Sequence, residues 1–278
     1  MFPLPLRTYR DLVAIDQPWP RPSLLGGGEA PELLTRILSF LGMGEGFRDP
    51  RRHLRAMLNR RPPGGWPEEV LVDLDRLLWM ERVQEGWMEP SSLPATDRPG
   101  LLLWQGDIVC LGADAIVNAA NSEMLGCFSP LHACIDNAIH SAAGPRLRED
   151  CAAIMALQGG PEATGQAKLT RAYNLPSRYV LHTVGPIVQG PLRTEHRTQL
   201  ASCYTACLEL AAQVEEIRTL AFCCISTGVF GFPAVEAAPI ALAAVSDWLE
   251  RNPDRFTSVI FNVYSEEEHE RYRGLLLA

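Results

Sequence analysis

From Leu101 onward, short apolar runs alternate with stretches of helical periodicity, and this alternation constrains the fold more than any other feature of the chain. The runs 101–109, 114–118, 167–173, 179–184, 219–225 and 258–263 are rich in Val, Ile and Leu, as strands covered on both faces require. Between them, 134–157, 196–213, 234–250 and 266–276 carry helical patterns. In 234–250, Val235, Ala238, Leu242, Val245 and Leu249 make one apolar stripe, and Pro233 stands where a helix can begin. Strands separated by helices predict an α/β fold in three layers, with a mixed, mainly parallel sheet between helices. Ligands of such sheets bind beyond the carboxyl ends of the strands. Two loops fall there, 118–133 and 226–232.

The first hundred residues have a different texture. Leu33, Leu34, Ile37, Leu38 and Leu41 repeat at helical spacing, as do Val70, Leu71, Leu74, Leu77 and Leu78, with Pro-Pro-Gly-Gly at 62–65 between helical stretches. Glu89 to Pro99 reads as a linker. The expectation is a helical N-terminal extension over 1–95 and an α/β domain over 96–278. Arg51, Arg52, Arg60 and Arg61 read as a solvated helix face, offset by neighbouring acids.

Charge and cysteine use narrow the function. The extension holds 12 basic and 13 acidic residues, the remainder 13 and 20, so the excess negative charge lies in the α/β part. Such a surface disfavours a nucleic-acid duplex, whose binding depends on many phosphate contacts. A small anionic nucleotide is still admissible, since backbone N–H groups at a helix start can hold phosphates. No run approaches the roughly 18 apolar residues of a membrane span. The start of the chain lacks the apolar stretch of a secretory signal, so a cytoplasmic, reduced protein is expected, with its eight cysteines unpaired. Cys110, Cys151, Cys203, Cys207, Cys223 and Cys224 sit in apolar or helical contexts and read as core.

The loop after the second strand holds the chemistry. Asn118-Ala-Ala-Asn121 ends an apolar run, and Cys127, His132 and Cys134 follow within a few residues of one another. Three soft or borderline ligands suit zinc and leave a coordination position free, but C-x4-H-x-C matches no common closed site, and buried cysteine is the bland alternative. Asp107, at a strand end, can accept from a base amino group or cap a turn. The amides of Asn118 and Asn121 can bond a sugar or the local backbone. His140 and His182 read as satisfied core histidines. Ser226-Thr227-Gly228, with Gly231, can cradle a pyrophosphate or simply turn the chain.

Several segments together resemble the macrodomain family. They are Gly-Asp-Ile-Val (106–109), Asp-Ala-Ile-Val-Asn-Ala-Ala-Asn-Ser (114–122), Ile-Asp-Asn-Ala-Ile-His-Ser-Ala-Ala-Gly (135–144), Val180 to Pro186 and Ser226 to Pro233. Where many macrodomain hydrolases have a glycine run after Asn-Ala-Ala-Asn-Ser, this chain has Gly-Cys-Phe-Ser-Pro-Leu-His-Ala-Cys. That insertion and the helical extension resemble the zinc-dependent branch, protein-ADP-ribose hydrolases associated with sirtuin-type ADP-ribosyltransferases. The resemblance implies that Asp107 and Ile108 contact adenine, with Tyr264 stacking on it, and that Asn121 holds the distal ribose. It implies Zn2+ on Cys127, His132 and Cys134, with Cys134, Ile135 and Asp136 beside phosphates and ribose. Ser226, Thr227, Gly228, Val229 and Phe230 would form the pyrophosphate loop. Asn121 and Asp136 are the implied catalytic pair, hydrolysing the C1″ glycosidic bond of mono-ADP-ribosylated protein. Two other functions use the same pocket: an ADP-ribose reader with structural zinc, and an O-acetyl-ADP-ribose deacetylase.

Overall fold

The computed structural model describes residues 4–23, 29–43 and 48–277; residues 1–3, 24–28, 44–47 and 278, parts of the two expected segments, lie outside it. The strands are β1 (Leu101–Gln105), β2 (Ala115–Ala120), β3 (Ala167–Arg171), β4 (Tyr179–Val184), β5 (Thr219–Phe222) and β6 (Ser258–Val263). They form one six-stranded sheet in the order β1-β6-β5-β2-β4-β3. Every pairing is parallel except β3 with β4. The mixed, mainly parallel sheet is therefore the expected one.

Each crossover carries a helix. α5 (Ile135–Ala143) and α6 (Pro145–Gln158) follow β2; α7 (Thr194–Ala211) joins β4 to β5, α8 (Ala234–Arg251) joins β5 to β6, and α9 (Glu266–Leu276) closes the chain. From β2 the chain moves toward β4; from β4 it moves back past β2 to β5 and then β6. α5 packs on α6 and α7 on α8, and the helices flank the sheet in the three layers expected. β2, β4 and β6 are buried almost throughout, which explains their unbroken apolar texture.

Among the boundaries that differ from the sequence reading, four have a plain local reason. β1 stops at Gln105 because Asp107 accepts a hydrogen bond from Val109 N at 3.2 Å and starts a 3-10 turn over Ile108–Cys110. β3 and β5 end at Arg171 and Phe222, where Tyr173 (φ +53°) and the loop toward Ser226 turn away from the sheet. The single helix expected over 134–157 is two. Gly144 has φ +91°, a conformation open to glycine, and Pro145 opens α6.

The extension comprises α1 (Leu6–Tyr9), α2 (Ala30–Phe40), α3 (Pro50–Arg60) and α4 (Glu68–Glu85). Apolar spacing left α3 unmarked; its start is fixed instead by Asp49, whose side chain accepts from Arg52 N, and by Pro50. Its arginines are not a plain solvated face, since Arg51 pairs with Glu81 at 2.6 Å and Arg61 lies over the Trp66 ring. Leu33, Ile37, Leu54, Leu58, Leu74 and Leu77 form a second core of its own. The first turns, however, belong to the main core. Leu6, Tyr9, Val13 and Ile15 are buried in it, and the Tyr9 hydroxyl accepts from Leu169 N at 3.0 Å, covering the free edge of β3.

Two buried polar fasteners join the cores. Asp75 on α4 accepts from Arg146 Nε at 2.7 Å and from Asn174 Nδ2 at 2.8 Å. Arg148 on α6 donates to the carbonyls of Leu58 and Arg61, satisfying the end of α3, and to that of Leu125. Among the described residues no helix is long and apolar enough to cross a membrane. Leu74→Ala, which empties a fully buried position of the second core, should cost about 2–5 kcal/mol in urea unfolding. A value near zero would mean that the extension does not share in the stability of the folded chain.

Candidate active site

A cavity of about 580 Å3 opens at the carboxyl ends of the strands. Its walls come from Gly106 to Ile108 after β1, Ala119 to Asn121 at the end of β2, Cys223 to Phe230 after β5, and Asn262 and Tyr264 at the end of β6. Cys127, His132 and the start of α5 complete it. Asn118 and Gly231 do not line it, whereas every residue to which the resemblance gives a site role lines this one space. So do Cys223 and Cys224, which the sequence assigned to the core; they stand at the end of β5, where the strand stops and the wall begins.

The cysteine-histidine loop is compact. One donor atom from each of Cys127, His132 and Cys134 lies within 4.8 Å of the other two, and Cys127 Sγ is 3.6 Å from His132 Nδ1. Burial, with Cys127 nearby, raises the Cys134 thiol to about 11. Cys134 also caps α5, its sulfur accepting from Asn137 N. Two residues shape the loop from outside it. Asn137 Nδ2 donates to Ser129 O at 2.9 Å, and Asn59 of α3 accepts from Leu131 N at 3.0 Å. Gly126, before the loop, has φ +82°, and a Cβ there would lie 2.8 Å from the His140 ring.

Behind the loop sits Asp136, in the first turn of α5 and 5% exposed. Its Oδ1 accepts from Asn118 Nδ2 at 2.8 Å, and its Oδ2 takes a longer bond from Asn121 Nδ2 at 3.4 Å. Burial pushes the carboxyl up to about 6, opposed by the Asn118 bond and the Arg148 charge. Asn118 therefore bonds neither sugar nor backbone. Its amide also meets His182 Nδ1 at 3.1 Å, and His182 Nε2 meets Thr170 Oγ1 at 3.0 Å. Desolvation takes His182 down to about 3, so the ring is neutral, accepting at Nδ1 and donating to Thr170. His140 is buried but not satisfied: both ring nitrogens lack a hydrogen-bond partner among the described residues. Its Nε2 approaches Asp136 Oδ1 at 3.5 Å, but burial and His182 keep the ring neutral, so no ion pair forms. His140, Cys151 and His182 make a second cluster of ligand-type atoms, sealed from the cavity and committed in part to these bonds.

The other wall is a turn built for close approach. Ser226 has φ +65°, and its buried hydroxyl has no partner among the described residues. Gly185 makes room for it, since a Cβ there would stand 2.0 Å from Ser226 Oγ. Gly228 faces open space, Val229 is 73% exposed, and Gly231 turns the chain at φ +70°. Asp107 caps its turn, as one of the two sequence readings has it, and also lines the cavity. Tyr264 is 76% exposed at the rim. Asn121 is engaged by its own loop, accepting from Glu123 N at 3.0 Å and donating to Gly126 O at 3.1 Å. Sequence reasoning missed Arg55, which reaches the cavity from α3. The apolar residues of its helix, Leu54 and Leu58, mark the face turned to the second core and say nothing of the face that reaches the cavity.

Fold and cavity define an α/β domain with a glycine-bearing turn on one wall and two cysteines and a histidine on the other. Residues 117–241 match the family model described as Macro domain. The chain is 50% identical over 226 residues to a protein-ADP-ribose hydrolase of Treponema medium, covering 80% of this chain and 86% of that one. It is 42% identical over 234 residues to a protein-ADP-ribose hydrolase of Staphylococcus aureus, covering 84% and 87%. A Trypanosoma brucei macrodomain in complex with ADP-ribose is 31% identical with a TM-score of 0.59, over 87% of this chain and 94% of that one. The chain belongs to the macrodomain family.

Gly126→Ala should destabilise the protein by about 1–3 kcal/mol, because the methyl needs both a left-handed backbone and space held by His140. Chemical denaturation of the variant checks this; unchanged stability would mean that the loop relaxes freely.

Proposed function

We propose that this macrodomain is a zinc-dependent hydrolase that removes mono-ADP-ribose from protein side chains by breaking the C1″ glycosidic bond of the distal ribose. One observation carries the reading: three soft ligand atoms gathered at the cavity wall, beside a buried carboxylate. The donor set fits zinc, since two thiols and an imidazole lie close enough to share one ion, and three protein ligands leave a position open. Cys127, His132 and Cys134 would hold it. When bound, the metal would supply a Lewis acid able to fix a ribose hydroxyl or to lower the pKa of water.

The remaining roles fall to side chains. Glycosidic cleavage develops positive charge on the sugar ring, and a carboxylate beside it lowers that barrier. Asp136 is the carboxylate of this cavity best placed for the task, as charge stabiliser or as base toward the attacking water. Asn118 fixes its orientation from behind, and Asn121 shares its other oxygen, leaving one lone pair of its own Oδ1 that would accept from a ribose hydroxyl. Ser226, Thr227, Gly228, Val229 and Phe230 would form the turn around the pyrophosphate, binding it through backbone N–H groups other than that of Thr227, which donates to Cys224 O at 3.4 Å. The start of α5 at Ile135 would add the positive end of its dipole. Asp107 and Ile108 would take the adenine, with Tyr264 closing over it from the rim. Such a hydrolase requires an enzyme that installs the mark, and a sirtuin-type ADP-ribosyltransferase is the functional partner we propose. The compartment we propose is the cytoplasm.

Incubating mono-ADP-ribosylated protein with purified enzyme tests the reading. Free ADP-ribose should appear, vanish on chelation and return with added zinc. Asp136→Asn should lower kcat by roughly 10²- to 10⁴-fold while zinc content stays at one per chain. Release that persists at full rate without metal would remove zinc from the account. Tight ADP-ribose binding with no release would make the protein a reader, and faster turnover of O-acetyl-ADP-ribose would make it a deacetylase.

A further inference from the structure

The extension contributes a charged side chain to the cavity. Arg55, on α3, is the one residue of the extension that lines it among the described residues. Its position is well determined. Asn59, one turn later on the same face, accepts from Leu131 N and donates to Ser141 Oγ of α5 at 2.8 Å. Arg148 holds the end of the same helix through the Leu58 and Arg61 carbonyls. The helix that carries Arg55 is thus fastened to both ends of the cysteine-histidine loop and to the helix behind it.

Arg55 is also unusual among the arginines around it. Arg51 is paired with Glu81 and Arg148 is spent on carbonyls, while Arg61, whose Nε is also unpaired among the described residues, lies on Trp66 and donates from Nη2 to Gly65 O. Arg55 Nε is buried with no hydrogen-bond partner among the described residues. A buried donor left unmade is costly, and the cost is offset when an acceptor arrives. Guanidinium is a donor only, charged at any working pH, and its planar fork matches carboxyl and phosphate oxygens.

Place decides which oxygen. The bonds of α3 run to Leu131 in the cysteine-histidine loop and to Ser141 near the end of α5, not to the start of α5 assigned to the phosphates, and the turn after β5 and the Asp107 and Tyr264 rim are built from other elements. We propose that Arg55 positions the acceptor side of the substrate, binding the carbonyl or carboxyl-derived oxygen of the modified protein next to the bond that breaks. The role rests on the hydrolase reading above. It gives the extension a part in substrate choice as well as in stability.

The test compares wild type with Arg55→Ala and Arg55→Lys, and with Arg52→Ala as an exposed control on the same helix. Arg55→Ala should lower kcat/KM on mono-ADP-ribosylated protein by roughly 10- to 100-fold, the loss of one charge-assisted hydrogen bond. Affinity for free ADP-ribose, measured by calorimetry, should stay within about twofold, since that ligand has no acceptor side. Lysine should recover part of the rate, because it keeps the charge without the fork, and the melting temperature should match wild type. Should the alanine variant fail to fold, Arg55→Gln, which keeps most of the stem, is read in its place. Wild-type kcat/KM in the variant overturns the proposal. An equal loss of free ADP-ribose affinity also overturns it, placing the guanidinium on the phosphates, and a lowered melting temperature with no rescue by lysine makes Arg55 structural. A wild-type protein that releases nothing defeats the hydrolase reading and this role with it; an active wild type with an unaffected Arg55→Ala defeats this role alone.

Discussion

A carboxylate kept out of water at the head of α5 sets the terms for the rest of the site. An ionised carboxyl is tolerated in such a place only with hydrogen bonds to hold it. Asp136 receives them from Asn118 and Asn121, at the end of the central strand β2. Asn118 stands in register with His182 on β4, which in turn bonds Thr170 on β3, so the carboxylate is anchored through three adjacent strands. A neutral His182 is essential to that chain of bonds, because it must accept from Asn118 while donating to Thr170. The antiparallel edge strand, the one departure from a parallel sheet, supplies the last link.

The same anchoring explains why the cysteine-histidine loop lies where it does. The loop leaves β2 directly after Asn121 and returns as the cap of α5, with Asp136 two residues beyond Cys134. Its outer side rests on α3 through Asn59, and Arg148 ties Leu125, before the loop, to the end of α3. The extension is therefore not a separate appendage laid beside the domain. Part of it fills the main core and covers a sheet edge, and part of it walls the cavity.

Much of this was legible in the sequence, because the layers are written in residue type. Strands buried on both faces must be apolar throughout, and helices between them must carry a stripe, so the α/β alternation showed itself. The site residues were legible because their types are costly or unusual where they stand: Cys127, His132 and Cys134 on a short loop, and paired asparagines closing a strand. What stayed hidden depended on contacts made in space. The break at Gly144 looked like continuous helix because both halves share one apolar texture. Asn118 seemed destined for sugar or backbone because nothing local reveals that Asp136 and His182 converge on it. Arg55 was invisible among the many arginines of the extension, since its partnerless position depends on how α3 packs.

The account stands on which bond the cavity breaks. Hydrolysis of protein carrying mono-ADP-ribose through a glutamate ester, run in water enriched in oxygen-18 and quenched early, reads that bond from the protein product. Cleavage at C1″ leaves the released glutamate carboxyl unlabelled, with the water oxygen on the ribose, and that is the predicted result. Oxygen-18 in the glutamate carboxyl would show attack at the acyl carbon and would contradict the roles given to Asp136 and the ribose-facing residues.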